Sequence, residues 1–353
     1  MKKTLAISAN QFAHGGGMES YTFDLVRALS QQPDTKVKVY AAKFNTSLPE
    51  YALITPELIP QKRIPKKLRP FFFAPQLTRR RPANEPLIAC NPADYADVFI
   101  CGGNHLGYLR AMGQSANVLD KLAIRRNRSN YATAKSIMAH SEMMRRELIE
   151  LYGVPPEKVR TIHPPADTVR FYPKPEEIAA TRERYGWRDD ETVFLFPSTG
   201  HKRKGLDLLA AFFEQTDLPV KLAVAGSPLP RPMRNVQELG FCKNMPELYR
   251  AADYTIMASL FEPFGLVGIE SVLCGTRVVL SDNMACCEVM NEEAGFFFPR
   301  SQPEKLAEAV AKAVELKRSG RHKLSEPFAA LSYNPTLEHH ITLLHEMLNH
   351  SSS

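Results

Sequence analysis

The sequence predicts an α/β protein with two Rossmann-like, doubly wound domains that face a cleft. Three observations lead to this prediction. The chain has 353 residues, which is about twice the usual length of one domain. Short β-branched strands alternate with amphipathic helices, a pattern typical of parallel sheets with crossover helices. A proline-rich stretch at residues 164–175 separates one run of this pattern from a second.

The first domain is predicted to span residues 1–172 and to be completed by a C-terminal helix at 336–353. It opens with a strand at Thr4–Ser8, three glycines at 15–17 and a helix at Met18–Leu29, the order that starts a doubly wound sheet. The other expected elements are strands at Val37–Ala41, Val98–Cys101, Ser136–Ala139 and Val159–Ile162 and a helix at Glu142–Leu151.

The second domain, predicted at residues 173–335, repeats this alternation. Its expected strands are Val193–Pro197, Leu222–Ala225, Tyr254–Ala258 and Val278–Ser281. Its expected helices are Leu206–Phe213, Pro246–Ala252, Leu266–Cys274 and Pro303–Lys317. Because ligands of open α/β sheets bind outside the carboxyl ends of the strands, we look for functional residues in the loops that follow these strands.

The composition is that of an ordinary globular protein, with 44% hydrophobic and 24% charged residues. It therefore excludes disordered, collagenous and disulfide-rich classes. The net charge of +7 is uneven, because residues 1–172 carry 25 Lys and Arg against 14 Asp and Glu. This excess favours an anionic membrane or anionic ligand over nucleic acid. The six cysteines lack CxxC spacing, which predicts free thiols in a reducing compartment.

The densest basic segment runs from Lys62 to Arg81 and surrounds three aromatic residues, Phe71–Phe73. Aromatic rings flanked by cations suit the headgroup boundary of an anionic membrane, so we expect this segment to bind lipid. The alternative is a solvated loop with a buried aromatic anchor. Pro65, Pro70 and Pro75 argue against a continuous helix here. No apolar run approaches the roughly 20 residues that span a bilayer.

The strongest local motif is FEPFGLVGIE, which follows a predicted strand and opens a helix. Its two carboxylates, Glu262 and Glu270, are placed to accept hydrogen bonds from hydroxyls at two ends of one ligand. Between them lie the backbone N–H groups of Phe264, Gly265 and Leu266, at a helix N-terminus where an anion is favoured. The alternative is a helix-terminal charge at Glu262 and a solvated carboxylate at Glu270.

A second motif, STGHKRKGLDLLAAF, also follows a predicted strand. It clusters His201, Lys202, Arg203 and Lys204 where an α/β sheet binds its ligand. Arginine can hold a diphosphate through two hydrogen bonds, and lysine acts as a point charge. Arg231, in the sequence VAGSPLPR, is a third candidate for the same anion.

These motifs and the N-terminal HGGGMESYTFDLVRAL resemble family 4 glycosyltransferases of the GT-B fold over nearly the whole chain. Within that family the sequence is most similar to bacterial lipopolysaccharide core glucosyltransferases. The resemblance implies a retaining enzyme that transfers a hexose, glucose by default, from a nucleotide diphosphate sugar. UDP is the default nucleotide, and the acceptor would be lipopolysaccharide core or another lipid-linked glycan. It also implies a cytoplasmic protein peripheral to the inner membrane.

The resemblance assigns the donor mainly to the second domain. Glu270 would bind the ribose hydroxyls and Glu262 a hydroxyl of the donor sugar. Arg203 and Lys204 would neutralise the diphosphate, with Arg231 as a weaker partner. The resemblance also implies donor contacts at the backbone of Gly16, Gly17, Phe264, Gly265 and Leu266. It places the nucleotide base at the backbone around Phe241, Cys242 and Met245.

The resemblance also draws attention to His105, which is predicted to end the strand in DVFICGGNH. Family members place an acceptor-side or donor-hydroxyl histidine near this position, although the spacing differs here. The alternative is an ordinary loop histidine. Glu19 is expected to cap its helix, and His140 and His163 are expected to be structural.

No cofactor or metal is expected, because no DxD motif stands at a predicted strand end. Fixed cations and helix N-termini can stabilise a leaving diphosphate instead. Two other functions stay open. One is a GT-B-fold nucleotide-sugar 2-epimerase, which would release an epimerised donor without an acceptor. The other is a non-enzymatic protein that binds polyanions or lipid, with steep salt dependence.

Overall fold

The computed structural model describes residues 3–61, 64–65 and 68–350. The chain forms two compact units. The first consists of Met1–Pro165 together with Pro335–Ser353, and the second of Ala166–Asn334. Each unit contains one parallel sheet with helices between its strands, so the predicted fold class is confirmed. The predicted cleft between the domains stays a prediction.

The first unit is built on a sheet of seven parallel strands. They are β1 (Lys3–Ala9), β2 (Thr35–Ala41), β3 (Thr55–Leu58), β4 (Leu87–Ala89), β5 (Val98–Cys101), β6 (Ser136–Ala139) and β7 (Val159–Thr161). The helices between them are α1 (Gly17–Ser30), α2 (Arg69–Arg80), α3 (His105–Ala111), α4 (Val118–Thr133) and α5 (Glu142–Tyr152). The apolar positions of α1 that recur at helical spacing are buried, as the sequence predicts.

The second unit is built on a six-stranded parallel sheet. Its strands are β8 (Thr192–Ser198), β9 (Val220–Gly226), β10 (Val236–Gly240), β11 (Tyr254–Met257), β12 (Val278–Ser281) and β13 (Gly295–Phe298). Its helices are α6 (Ile178–Tyr185), α7 (His201–Lys204), α8 (Leu206–Gln215), α9 (Met245–Ala251), α10 (Leu266–Leu273) and α11 (Pro303–Arg318). The central strand β8 is buried along its whole length, as expected for a sheet covered on both faces.

Strand order defines a switch point in each sheet, where the connections change direction. The first sheet has the order β3-β2-β1-β4-β5-β6-β7, so its switch point lies between β1 and β4. The second has the order β10-β9-β8-β11-β12-β13, with its switch point between β8 and β11. The loops that follow these four strands diverge and leave a crevice, which is where such sheets bind ligands.

The boundary between the units lies after Pro165, whereas the sequence prediction put it after residue 172. Hydrogen bonds explain the difference. Arg250 donates from Nε to the carbonyl of Tyr172 at 2.7 Å and from Nη2 to the carbonyl of Arg170 at 3.1 Å. The segment after Pro165 is thus fixed to the second unit by a buried guanidinium.

The C-terminal helix α12 (Leu337–His350) belongs to the first unit and packs on α1. Its His340 Nε2 lies 2.7 Å from the hydroxyl of Tyr21, and both side chains are buried. The His340 Nδ1 atom is 3.1 Å from the carbonyl oxygen of His163. Because a carbonyl only accepts, Nδ1 carries the proton and Nε2 accepts from Tyr21.

Helix α2 contradicts one prediction, because it continues through Pro75. A proline removes one backbone hydrogen bond from a helix interior. Here Phe73, Ala74 and Leu77 are buried, so tertiary packing offsets that loss. Lys62, Arg63, Lys66 and Lys67, the N-terminal cations of the predicted lipid-binding segment, lie outside the described residues. Among the described residues, no helix is long and apolar enough to cross a membrane.

Candidate active site

The switch point of the second sheet brings together four predicted site residues. Arg203 and Lys204 lie on the short helix α7, which follows β8. Glu262 lies in the loop after β11, and Glu270 follows on α10. The backbone N–H of Leu260 donates to the carbonyl of Arg203 at 2.8 Å and so ties the two loops together.

The guanidinium of Arg203 is anchored through a single nitrogen. Nη1 donates to the carbonyl of Phe261 and to Glu262 Oε2, both at 2.8 Å. The Nη2 and Nε groups make no hydrogen bond to any described residue, and the side chain is 32% exposed. Glu262 therefore positions the arginine while an open pair of N–H donors is left for a ligand.

Lys204 is held beside Arg203 by a different contact. Its Nζ donates to the carbonyl of Pro197, on β8, at 2.8 Å. Burial lowers the pKa of Lys204, and the neighbouring charges of Glu262 and Glu270 act in the opposite direction. The ammonium is thus partly desolvated, which strengthens its attraction for any anion in the site.

Glu270 projects from α10 beside the same cations. Its Oε2 accepts a hydrogen bond from the hydroxyl of Tyr249 at 2.9 Å. Burial raises the pKa of Glu270, although Tyr249, Arg170 and Lys204 counteract that shift. The Oε1 atom accepts no hydrogen bond from the described residues. One carboxylate oxygen is therefore fixed by Tyr249, and the other is available to a hydroxyl.

The start of α10 depends on Gly265, which has a φ of +100°. A Cβ atom there would lie 2.8 Å from Met284 Cε and 3.0 Å from Glu262 Cγ. Both the backbone conformation and the space therefore require glycine. Phe264 precedes it with a buried ring that contacts Tyr333. Leu266 begins the helix, so the first backbone N–H groups of α10 have no acceptor within the helix.

The other two residues of the basic motif, His201 and Lys202, have different surroundings from Arg203 and Lys204. His201 is held in place, with Nδ1 at 2.8 Å from Ser198 Oγ and Nε2 at 3.0 Å from the carbonyl of Pro228. Lys202 lines a separate groove of about 540 Å³ together with Arg231. The Arg231 guanidinium forms a bidentate ion pair with Glu214, with both contacts at 2.6 Å.

This ion pair places Arg231 beside the last turn of α8, whereas Arg203 lies just before the first turn. Among the described residues, Arg231 makes no hydrogen bond or ion pair to the groups that hold Arg203 and Lys204, and its contact with the same anion stays a prediction. The prediction rested on position after a strand, and it could not include the competing carboxylate of Glu214.

The two predicted base-binding residues flank the loop before α9. The ring of Phe241 is 77% exposed, and Met245 begins the helix with a partly buried side chain. Arg170 lies near this loop, because its Nη2 donates to the carbonyl of Lys243 at 3.2 Å. Sequence reasoning missed both Arg170 and Tyr249, since neither belongs to a charged motif and each reaches Glu270 only through the fold.

In the first unit, Gly16 and Gly17 lie at the start of α1 and are exposed. Glu19 Oε2 accepts a hydrogen bond from the Gly16 backbone N–H at 3.0 Å, so the predicted capping role of Glu19 is confirmed. A Cβ atom added to Gly17 would meet nothing within 4 Å. The packing of the first unit therefore does not require glycine at that position.

His105 does not end a strand as predicted but begins helix α3, because β5 stops at Cys101. Its Nε2 lies 2.7 Å from Asp120 Oδ1 on α4. The backbone N–H of Asn117, together with His105, holds the pKa of Asp120 below its usual value. The carboxylate thus orients the imidazole by accepting from Nε2. The ring also lines a cavity at the end of β5.

All six cysteines are free thiols. The described residues contain no group of three or more histidine, cysteine or acidic side chains that could hold a metal ion. Metal independence stays a prediction, because it concerns the reaction rather than the resting protein.

Family models match both units. A glycosyltransferase family 4 model matches residues 15–170, and a glycosyl transferases group 1 model matches residues 177–327. A protein named probable transglycosylase, from Burkholderia thailandensis, is 38% identical over 99% of this chain and 98% of its own length. The chain therefore belongs to the family 4 glycosyltransferases.

Solved structures show the same architecture. WaaG, a glycosyltransferase involved in lipopolysaccharide biosynthesis, matches with a TM-score of 0.74 and 18% identity, over 90% of this chain and 92% of its own. Anabaena HepE in complex with UDP and glucose also has a TM-score of 0.74, at 16% identity over 98% of this chain and 99% of its own. At such identities the match establishes the GT-B fold alone.

Proposed function

We propose that this glycosyltransferase is a retaining enzyme that transfers a hexose, with glucose as the default, from a nucleotide diphosphate sugar to a lipid-linked glycan such as lipopolysaccharide core. The observation that carries the donor half of the proposal is the pairing of Arg203 and Lys204 with Glu270 at one switch point. Two cations face an acceptor carboxylate there, which suits a ligand that carries both phosphates and hydroxyls.

The leaving diphosphate is stabilised electrostatically. Arg203 offers Nη2 and Nε to phosphate oxygens while Nη1 stays fixed on Glu262 and the backbone. Lys204 adds a second charge in a desolvated position, and the N-terminus of α10 adds partial positive charge. Because the protein holds these groups before the ligand arrives, little reorganisation accompanies bond breaking. No metal ion is needed in this scheme.

The glutamates have separate roles. Glu270 accepts from the ribose hydroxyls through Oε1, with Tyr249 holding Oε2. Glu262 accepts from a hydroxyl of the donor sugar and also positions Arg203. UDP is the first nucleotide to test, since HepE was solved with UDP and glucose. Phe241 and Met245 flank the loop assigned to the base, and Gly16 and Gly17 leave room for a ligand at the start of α1.

Membrane association is supported by two helices of the first unit. On α2, Phe72 is 49% exposed, and Arg79 and Arg80 are exposed beside it. On α4, Val118 and Leu122 are 74% and 44% exposed. The two helices are joined by Arg126, whose guanidinium lies 5.0 Å from the Phe71 ring centroid.

Exposed apolar side chains among cations suit the cytoplasmic face of an anionic membrane. We propose that this face binds the membrane that holds the lipid-linked acceptor.

In a flotation assay with phosphatidylglycerol–phosphatidylcholine vesicles, the double variant Phe72→Ser, Val118→Ser should bind the vesicles less than the native protein does. The matched control is Val169→Ser in the second unit, since Val169 is 86% exposed. Equal flotation of both variants would contradict the proposal.

The donor proposal is tested by calorimetric titration with UDP, GDP, ADP and UDP-glucose. Glu270→Gln and Arg203→Met should each weaken binding of the preferred nucleotide at least about tenfold, because a charged hydrogen bond contributes roughly 1.5–3 kcal/mol. Arg231→Met is the matched control and should weaken binding less than either site variant, because its guanidinium is already paired with Glu214. Unchanged affinity in both site variants would overturn the assignment.

Product analysis separates the proposed reaction from the alternatives. The transferase should release nucleotide only as sugar is transferred or hydrolysed, and chelation by EDTA should not reduce the rate. A released epimer of the intact donor would instead identify a 2-epimerase. Binding to polyanions that survives Glu270→Gln, without any donor turnover, would identify a non-enzymatic protein.

A further inference from the structure

The first unit contains a cavity of about 250 Å³ at the carboxyl ends of β4 and β5. Its polar lining includes Asn91, His105, Arg126 and Asn127. The position is beside the switch point between β1 and β4, the place where an open α/β sheet binds ligands. The volume is below the roughly 300–1,000 Å³ of a whole small-molecule pocket, so the cavity suits one chemical group of a larger ligand.

Arg126 is the unusual member of this lining. Its Nε and Nη1 atoms are buried and have no hydrogen-bond partner among the described residues. The nearby Asp94 carboxylate accepts from Asn130 Nδ2 at 2.7 Å and acts on Arg126 only through space. Burial lowers the pKa of Arg126.

Leaving such donors unpaired is costly, since a buried polar group without a partner loses about 1–3 kcal/mol and a charged group more. The cation–π contact of Arg126 with the Phe71 ring offsets part of this cost in free energy. Arg126 lines the cavity, and its buried Nε and Nη1 groups lack a partner among the described residues. A guanidinium left in this state is the arrangement expected beside a binding site without its anion.

Asn91 adds a second unpartnered atom to the same lining. Its Oδ1 is buried without a hydrogen-bond partner, while Nδ2 faces Asn10 Oδ1 at 3.3 Å. An amide oxygen accepts a hydrogen bond and therefore suits a hydroxyl group. The residues that line the cavity thus include a guanidinium suited to an oxyanion and an amide oxygen suited to a hydroxyl. These two groups are found together on a phosphorylated or acidic sugar.

We infer that this cavity is an oxyanion subsite, in which Arg126 binds a phosphate or carboxylate group carried by the sugar acceptor. The inference rests on the proposed function for the identity of the ligand as the acceptor. The site itself rests on the unpaired atoms of Arg126 and Asn91. Arg126 acts as a specificity-determining residue, because it distinguishes acidic from neutral acceptors.

The first test uses the stability of the full chain without ligand. Arg126→Met keeps the packing on Phe71 but removes the buried charge, so its midpoint of thermal unfolding should equal or exceed that of the native protein. Arg125→Met, an exposed neighbour on the same helix, is the matched control and should leave the midpoint unchanged. A large loss of stability in Arg126→Met alone would show a structural role and overturn the inference.

The second test uses ligand binding, followed by calorimetry at fixed ionic strength. The probes are inorganic phosphate, glucose 6-phosphate, glucuronate and glucose. The native protein and Arg125→Met should bind at least one of the anionic probes, whereas Arg126→Met should bind it at least tenfold more weakly. The probe that binds identifies phosphate or carboxylate as the preferred group. Failure of all three anions to bind the native protein would overturn the inference.

Titration of the same variants with UDP distinguishes this inference from the proposed function. Arg126→Met should bind UDP normally, because the donor site lies on the second unit. Loss of UDP binding in Arg126→Met would assign the guanidinium to the donor and overturn the acceptor subsite. Normal phosphate binding with no UDP binding in the native protein would instead refute the proposed donor and leave the anion site standing.

Discussion

The two units share one layout, a parallel sheet with a switch point, but they hold their cations differently. In the second unit, Arg203 and Lys204 are anchored on protein oxygens. In the first unit, Arg126 lines a cavity, and its buried Nε and Nη1 groups have no hydrogen-bond partner among the described residues. The two units also differ in net charge. The first unit has 24 Lys and Arg against 15 Asp and Glu, and the second has 21 Lys and Arg against 23 Asp and Glu.

This difference indicates how each site is prepared for its ligand. The second unit fixes its cations before binding, so a diphosphate meets a preorganised site. The first unit leaves two buried nitrogens of Arg126 without a hydrogen-bond partner among the described residues. We expect this to lower the free energy of unfolding of the first unit, as is common at binding sites. The comparison predicts that substitutions of buried charge have opposite effects on stability in the two units.

The largest effect is expected for Asp253 in the second unit. Its carboxylate accepts from Lys317 at 2.9 Å and from the Val193 backbone N–H at 2.7 Å, and it lies 3.4 Å from Arg182. Asp253→Asn should cost about 3–5 kcal/mol, because it leaves buried cations uncompensated. Urea unfolding followed by Trp187 fluorescence measures this, since Trp187 is the sole tryptophan.

The control for this prediction is Asp190→Asn in the same unit. Asp190 pairs with Arg188 on the surface, and its side chain is 73% exposed. Its substitution should change stability by no more than about 0.5 kcal/mol. Equal losses in the two variants would show that the buried network is not what stabilises the second unit.

The next largest effect is expected at acidic pH, where the first unit should lose stability before the second. Burial, with the charges of neighbouring histidines, lowers the pKa of His140 to about 3, and burial lowers that of His340 to about 4. Both lie in the first unit. Between these values and the usual 6.5, the unfolded chain binds protons that the folded unit does not, so stability is lost as the pH falls. The loss is on the order of 4 kcal/mol between pH 7 and pH 5 for the pair.

The second unit should respond at lower pH. Burial alone would raise the pKa of Asp253, but His322, Arg182 and Lys317 hold it well below its usual range. Its contribution to stability is therefore retained until the pH falls below about 4. Circular dichroism at pH 5 should show partial unfolding in urea while Trp187 fluorescence stays native. Simultaneous loss of both signals would contradict this separation.

A smaller effect is expected from two glycines at the starts of helices. Gly265→Ala should cost about 1–3 kcal/mol, because its φ is +100° and the added methyl would contact Met284. Gly17→Ala should change stability by less than about 0.5 kcal/mol, because a Cβ atom there meets open space. Thermal unfolding measures both. A large destabilisation by Gly17→Ala would remove the argument that this space is kept for a ligand.

The sequence predicts the regular parts of this protein well, for a physical reason. Interior strands such as β5 and β12 are short runs of apolar residues between polar loops, and both have the predicted bounds. Elements with weak patterns were missed, among them β3, β4, β10, β13 and α6. Helix α2 was excluded because proline has a strong local effect, whereas the packing that overrides it is visible only in three dimensions.

The candidate site also has features that the sequence predicts and features that depend on the three-dimensional fold. Motif residues after β8 and β11 come together because parallel strands place their carboxyl ends at one edge of a sheet. The ion pair of Arg231 with Glu214 could not be predicted, because the two residues are 17 positions apart in the sequence. Arg126 could not be found from the sequence, where it is one of four basic residues between 121 and 128. Only burial distinguishes it from the exposed Arg125 and Arg128.

We propose that the second unit binds the nucleotide diphosphate through a preorganised cation pair, while the first unit binds another anion. Calorimetric titration of UDP into Arg203→Met, Arg126→Met and the native protein distinguishes the two sites. Arg203→Met should lose at least about tenfold in affinity, and Arg126→Met should bind as the native protein does. Native-like UDP binding by Arg203→Met, or loss of UDP binding in Arg126→Met, would show that the donor site is not where we place it.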